Sequence, residues 1–258
     1  MNMIDQARVG TAFDSAEDYA RHAGVQRLVA AELADRIAGL DLPADPHVLE
    51  IGCGTGFLTR ELLARGIGGT WLITDKAPAM VERCRAELGE AEGRAFAVLD
   101  GEYGIADHEA RYDLVCASMA MQWFDDLERA VAHLVERLAP GGHLVFNTLA
   151  QGTFAEWHAA HAQCGEEAGA IAFPPASELE AMLRRFEPVS LAVTRHVEHH
   201  ENARQFLERL KLIGAGTARR GHVPLSPGAL KQVMAGFDTA GAQASYEVVT
   251  CHIARGTA

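Results

Sequence analysis

The sequence has no Cys-x-x-Cys pair; its five cysteines (Cys53, Cys84, Cys116, Cys164 and Cys251) are scattered. That spacing excludes a disulfide framework and reads as small core residues in a reducing cytoplasm. Positive charge is also scarce. Lys and Arg number 23 against 35 Asp and Glu, a net charge of −12. A nucleic-acid backbone or an anionic membrane is therefore excluded as the main partner. No apolar run is long enough to span a bilayer, and residues 1–10 lack the basic start and apolar stretch of a signal peptide. A cytoplasmic location is expected. No internal repeat, low-complexity linker, catalytic triad or dyad is visible. Hydrophobic residues make up 48% of the chain, ample for a core, and 258 residues without a linker are expected to form a single domain over 1–258.

The most informative stretch is Val48-Leu49-Glu50-Ile51-Gly52-Cys53-Gly54-Thr55-Gly56-Phe57. It reads as a buried parallel strand over 48–51, a tight glycine turn, and a helix over 57–65 with Phe57, Leu58, Leu62 and Leu63 facing the sheet. Glycine is needed where φ is positive or where a ligand must approach with no Cβ in the way. A dinucleotide fingerprint would need a third glycine at position 57, where Phe57 stands. Gly-x-Gly-x-Gly preceded by an acid instead resembles the S-adenosylmethionine loop of class I methyltransferases. The chemistry agrees. The dinucleotide turn aims a helix N-terminus at a pyrophosphate, whereas S-adenosylmethionine has no phosphate and carries a sulfonium and an ammonium. A carboxylate at Glu50 beside Gly52, Gly54 and Gly56 suits those cations.

The βα rhythm continues. A strand over 70–74 ends on Asp75, 23 residues beyond Gly52, near where an acid that holds ribose hydroxyls belongs. The competing reading of Asp75 is an N-cap for the helix over 78–88. If it binds ribose, Lys76, Ala77 and Met80 border the adenine. Strands over 96–99, 112–118 and 143–149, with a helix over 127–138 and Pro140-Gly141-Gly142 between the last two, complete a doubly wound, mostly parallel α/β sheet expected to hold seven strands. Gly52, Asp75, Asp100 and Ser118 all fall at C-terminal strand ends, where ligands of such sheets bind. Residues 47–149 thus read as the cofactor-binding half. The remainder, 150–258, reads as a substrate lid of helices plus the last two strands, at 189–197 and 245–253. Residues 13–39 form a helical leader with Val25, Leu28, Val29, Leu33 and Ile37 on one stripe.

In that leader Tyr19, His22 and Gln26 share helical spacing, which by itself describes ordinary surface groups. The methyltransferase resemblance implies that Tyr19 and His22 close over the cofactor. It also implies that Asp100 accepts from the adenine amino group with Gly101 and Glu102 beside it, and that Ser118 and Trp123 border the same ligand. Taken alone, Asp100-Gly101 is a plain turn. His196, His199 and His200 lie at one strand end, but only His196 and His200 share a face, so no metal is expected. On the helix over 153–164, Trp157, His158 and His161 read as lid packing rather than a catalytic base.

The segments Ala120-Met121-Gln122-Trp123, Phe146-Asn147-Thr148-Leu149-Ala150-Gln151-Gly152-Thr153, Phe173-Pro174-Pro175 and Leu210-Lys211-Leu212-Ile213-Gly214-Ala215 resemble the malonyl-acyl-carrier-protein O-methyltransferases of biotin synthesis. The resemblance runs over nearly the whole chain. It departs at Ser118, where the family often has Asn. It implies S-adenosyl-L-methionine as cofactor and an acyl-carrier protein bearing a malonyl thioester as partner. A carboxylic acid with a pKa of about 4 is already ionised at neutral pH, so no general base is expected. Lys211 is the expected counter-charge that positions the carboxylate. Arg184, Arg185, Arg219 and Arg220 are candidate docking cations for an acidic carrier. The alternatives are a class I methyltransferase acting on another small acid or natural product, and a cofactor-binding protein without transfer activity.

Overall fold

The computed structural model describes residues 24–103, 109–169, 172–186, 188–212 and 222–257. The elements in chain order are α1 (Gly24–Ala38), β1 (His47–Ile51), α2 (Phe57–Ala64), β2 (Thr70–Asp75), α3 (Pro78–Leu88), β3 (Arg94–Val98), β4 (Tyr112–Ala117), α4 (Leu127–Glu136) and β5 (Leu138–Leu149). They continue with α5 (Ala155–Gln163), α6 (Ala176–Leu183), β6 (Val189–His199), α7 (Ala203–Leu212), α8 (Pro227–Thr239) and β7 (Gln243–Ala254). The seven strands form one sheet in the order β3-β2-β1-β4-β5-β7-β6. Pairs within β1–β5 are parallel, and β7 lies antiparallel to both β5 and β6. Strand order reverses between β1 and β4, which opens a crevice outside their C-terminal ends.

The central strands are buried on both faces, and their alternation sorts the core. Val48, Cys116 and Val145 point toward Leu33, Ile37, Leu58 and Leu62 of α1 and α2. Leu49, Val115 and Phe146 point the other way, toward Leu134 of α4 and Leu183 of α6. A third cluster lies under α5, α7 and α8, where Phe154, Trp157, Phe206, Phe237 and Tyr246 gather with Val25 and Val29 of α1. Neighbouring rings there sit 5.0–5.6 Å apart, between Phe154 and Phe206, Phe154 and Tyr246, and Phe206 and Phe237.

Two expectations need correction. Leu28 does not join the buried stripe of α1; it is 49% exposed, while Ala30 and Ala34 are buried. Alanines carry the contact because their small side chains let α1 approach α2 closely. Pro140-Gly141-Gly142 does not precede the fifth strand, because β5 runs through it from Leu138. The pairing with β4 shifts register there, from Tyr112 opposite Leu138 to Leu114 opposite His143. A Cβ on Gly142 would lie 2.8 Å from the Tyr112 carbonyl oxygen, so glycine permits the irregular stretch.

Candidate active site

At the crevice lies a cavity of about 1030 Å³, its open mouth included. The turn after β1 forms one wall, with φ of +70° at Gly52, +54° at Gly54 and +80° at Gly56. The three glycines do different work. A Cβ on Gly52 would sit 2.3 Å from the Ala120 Cβ, whereas one on Gly54 would meet nothing within 4 Å. Gly54 therefore presents bare backbone to the cavity. Gly56 does not line it. A Cβ there would lie 3.1 Å from the Cys84 Sγ, so this glycine lets α2 pack on α3.

Asp75, at the end of β2, is tied to the loop. Its Oδ2 accepts from the Gly54 N–H at 2.9 Å, and its Oδ1 accepts from the Ala77 N–H at 2.9 Å. It is not the N-cap of α3. That position belongs to Ala77, followed by Pro78. Glu50 is 1% exposed and accepts the Thr59 hydroxyl at 2.6 Å. Burial pushes its carboxyl up to about 7, with the Asp75 charge adding in the same direction and the Thr59 bond opposing. Thr59 thus takes the inward place expected of Leu63, which is only half-buried.

The remaining expected residues gather around the same space. Lys76, Met80, Asp100, Gly101, Glu102, Ser118 and Trp123 all line it. Lys76 Nζ lies 2.6 Å from Asp100 Oδ2, and Asp100 Oδ1 accepts from the Glu102 N–H at 3.2 Å. Glu102 turns its carboxylate elsewhere. It takes the Asp126 N–H at 2.8 Å and lies 3.8 Å from Arg129, which secures the start of α4. Gly101 is required by close approach, since a Cβ would sit 2.3 Å from Ile51 Cγ2. Tyr19 and His22 lie outside the described residues. Gln26, which spacing alone placed on the surface, is 8% exposed and lines the cavity.

Sequence reading missed Asn147. It is 1% exposed on β5, and its Oδ1 accepts from the Met119 N–H at 2.6 Å. Its amide nitrogen lies 3.4 Å from the Ser118 hydroxyl. Met119 has φ of +53°, a strained conformation for a side-chain-bearing residue. Met119 both lines the cavity and packs against the aromatic cluster beneath α5, α7 and α8. The amide side chain that directly follows the apolar run Leu144-Val145-Phe146 was the available signal.

That aromatic cluster is clamped to the sheet. Phe154, at φ +57°, donates its N–H to Ser245 O at 2.7 Å, and Gly152 donates to Glu247 Oε2 at 2.7 Å. A Cβ on Gly152 would lie 2.9 Å from that carboxylate. Glu156 accepts from the Ser245 hydroxyl at 2.6 Å and from Arg195 at 2.8 Å. His161 is buried with its Nδ1 2.9 Å from Trp157 O, a packing role.

Other candidates are not brought to the cavity. Lys211 is exposed on α7 and is not among the lining residues; residues 213–221 lie outside the described residues. Arg184 pairs with Glu180 and Arg185 with Glu128, while Arg219 and Arg220 fall outside the described residues. His196 lies 3.4 Å from Glu32, and among the described residues no group of three or more side chains could hold a metal.

This sheet order, with a glycine loop after β1 and an acid ending β2, defines the class I methyltransferase fold. Solved structures agree. The YcgJ protein of Bacillus subtilis covers 88% of this chain and 98% of its own, with a TM-score of 0.59 at 14% identity. The plantazolicin methyltransferase BpumL, solved with SAH, covers 97% and 95% with a TM-score of 0.54 at 12% identity. Residues 19–187 match the methyltransferase domain family. The malonyl-[acyl-carrier protein] O-methyltransferase of Magnetococcus marinus is 38% identical over 250 residues, 96% of this chain and 91% of that one. The biotin biosynthesis bifunctional protein BioCD of Bordetella avium is 44% identical over 236 residues, and this chain spans half its length. The chain belongs to the malonyl-[acyl-carrier protein] O-methyltransferase family. It is an S-adenosylmethionine-dependent methyltransferase.

The residues present fit that cofactor. Gly54 leaves the backbone bare, Asp75 offers acceptors for vicinal hydroxyls, and Met80, Ala77 and Leu99 supply an apolar wall. Glu50 lines the same wall and would face the cofactor's cationic groups. Among the described residues no helix is long and apolar enough to cross a membrane.

Proposed function

We propose that this enzyme esterifies the free carboxylate of a malonyl thioester carried on an acyl-carrier protein, an early step of biotin synthesis in the cytoplasm. Similarity to the Magnetococcus enzyme, 38% identical over 96% of this chain, carries the reading. The cavity chemistry supports it. Among the described lining residues there is no histidine, and the thiol of Cys53 is pushed up by its contact with Cys84 and by burial. A nucleophile that arrives already ionised suits such a site, and a carboxylate does so at neutral pH.

The bound cofactor supplies an electrophilic methyl group on a sulfonium. The chain's own contribution is placement and exclusion of water. Glu50, Asp75 and Asp100 orient the cofactor, with Gly101 and Trp123 bordering its base. Asn147 sets Met119 where the cavity meets the aromatic cluster, the point at which we place the acceptor carboxylate. Within residues 150–258 the helices α5, α7 and α8 act as the acceptor lid, while β6 and β7 complete the sheet. In this reading Tyr19 and His22 close the cofactor from the leader, and Lys211 is the candidate counter-charge of α7.

The deciding experiment incubates the chain with S-adenosylmethionine and either malonyl-carrier protein or free malonate, and weighs the products. A gain of one methyl on the carrier-bound acid alone supports the proposal. Methylation of free malonate alone would point to a small-acid methyltransferase. Cofactor binding without any ester would leave a binding protein.

A further inference from the structure

Met119 stands at φ +53°, a conformation that glycine adopts freely and that a side chain makes costly. Among the described residues Met119, Phe154 and Ala242 are the non-glycine residues with positive φ, and of these only Met119 lines the cavity. The backbone there calls for glycine, yet the sequence places a long thioether.

Two side-chain amides hold the residue from opposite sides. Asn147 Oδ1 accepts its N–H at 2.6 Å, and Gln122 Nε2 donates to its carbonyl oxygen at 2.6 Å. Gln122 keeps this bond at a cost, since its Oε1 is buried with no hydrogen-bond partner among the described residues. The next residue is fixed as well. Ala120 abuts the glycine turn so closely that a Cβ on Gly52 would lie 2.3 Å from the Ala120 Cβ, and its carbonyl takes the Trp123 N–H at 3.2 Å. The peptide groups on either side of Met119 cannot rotate without breaking one of these contacts. Its side chain is therefore delivered to one place, with the cavity on one side and the aromatic cluster on the other.

We infer that Met119 is the wall that sets the length of acceptor the site admits, and that Gln122 acts through it as a positioning residue. The wall limits how far an acyl chain reaches before its carboxylate meets the S–CH3 axis. An acid one methylene longer presses on the thioether and carries its attacking oxygen off that axis, where transfer is slow. The inference rests on the acceptor being a carrier-bound acid.

Methyl transfer by the full chain to malonyl- and succinyl-carrier protein, which differ by one methylene, tests it. Wild type is expected to favour the malonyl substrate in kcat/KM by about tenfold or more, the usual worth of one methylene in an apolar site. Met119→Gly and Met119→Ala should remove most of that preference, chiefly by a gain on the succinyl substrate, with a smaller change in S-adenosylhomocysteine affinity by calorimetry. Met119→Leu, of similar volume, should keep it. Glycine relieves the backbone, so that variant should melt no lower than the alanine one. Gln122→Met removes the donor and should lower the preference in part, but add nothing to Met119→Gly, because Gln122 acts only through the wall. An unchanged preference in the glycine and alanine variants would overturn the inference. So would a loss of cofactor affinity that matches the loss of transfer, or a wild type that favours neither acid while using both. Additive effects of Gln122 and Met119 would remove the positioning role. Failure of the carrier-acid reading shows in wild type itself, which would then esterify neither substrate, and the inference falls with it; failure of the wall alone leaves wild type active.

Discussion

Asn147 Oδ1 takes the Met119 backbone N–H at 2.6 Å and holds Met119 at φ +53°, on the border between the cofactor cavity and the aromatic cluster. One buried amide on β5 therefore sets the backbone where the acceptor is expected to meet the methyl group. In the Asn147→Ala variant the Met119 N–H is left without its acceptor. The loss should be about 1–3 kcal/mol of stability, with a fall in kcat larger than the change in cofactor affinity. Thermal unfolding and single-turnover rates check both; a wild-type melting temperature together with a wild-type rate would remove Asn147 from the mechanism.

Asp75 supports the glycine loop through Gly54 and is the proposed partner of the ribose hydroxyls. Asp75→Ala should weaken cofactor binding by about 1.5–3 kcal/mol, on the order of ten- to a hundredfold. Asp75→Asn keeps an acceptor but loses the charge and should fall between the two. Calorimetry that shows unchanged affinity in the alanine variant would confine Asp75 to loop support.

Glu50 has a folded pKa raised from 4.5 to about 7 by burial. The folded chain retains this proton over a range where the unfolded chain has released it. Stability is therefore expected to fall as pH rises from about 4.5 to 7, by up to ~3 kcal/mol. Cationic cofactor groups favour the ionised carboxylate, so binding should tighten through the same window and release a proton. Glu50→Gln should flatten both profiles. Titrations in buffers of different ionisation enthalpy count the proton, and absence of proton release near pH 6 would contradict the assignment.

His200 shows the reverse sign. Its side chain is 1% exposed, neither ring nitrogen has a hydrogen-bond partner, and it packs on Phe206 with ring centroids 5.3 Å apart. Burial, then the nearby Arg209 and His199 charges, lower its pKa to about 4. A depressed histidine contributes stability that is complete above about 6.5 and lost as pH falls toward 4. His200→Phe should raise the melting temperature at pH 5 more than at pH 8. An equal shift at both pH values would place the effect in packing alone.

Lys211 tests the acceptor side. Its exposure on α7 describes a solvated cation. The counter-charge proposal therefore requires the ammonium to reach the region of Met119 when the acceptor is bound. If it does, Lys211→Ala loses most transfer activity with cofactor binding and melting temperature near wild type, and Lys211→Arg recovers part. Wild-type kcat/KM in Lys211→Ala would transfer the search to Arg209 or His22.

The element pattern was legible in the sequence because it depends on short-range periodicity. Alternating strands, glycine at positive φ and an acid 23 residues beyond Gly52 are local features, and they appear in the structure close to where the pattern placed them, except that β5 begins five residues earlier, at Leu138. Most expected cofactor residues line one cavity because the C-terminal ends of parallel strands must fall together. What the sequence could not decide were contacts between distant segments. Gly56 serves α2–α3 packing, Glu102 serves α4, and Asn147 reaches Met119 across adjacent strands. Nor could it show that Leu28 faces solvent while Ala30 and Ala34 meet α2, or that Arg27 and Arg60 converge on Phe57. Residue type and spacing limit which face a side chain can occupy; only the packed arrangement of α1, α2 and the sheet determines what stands opposite it.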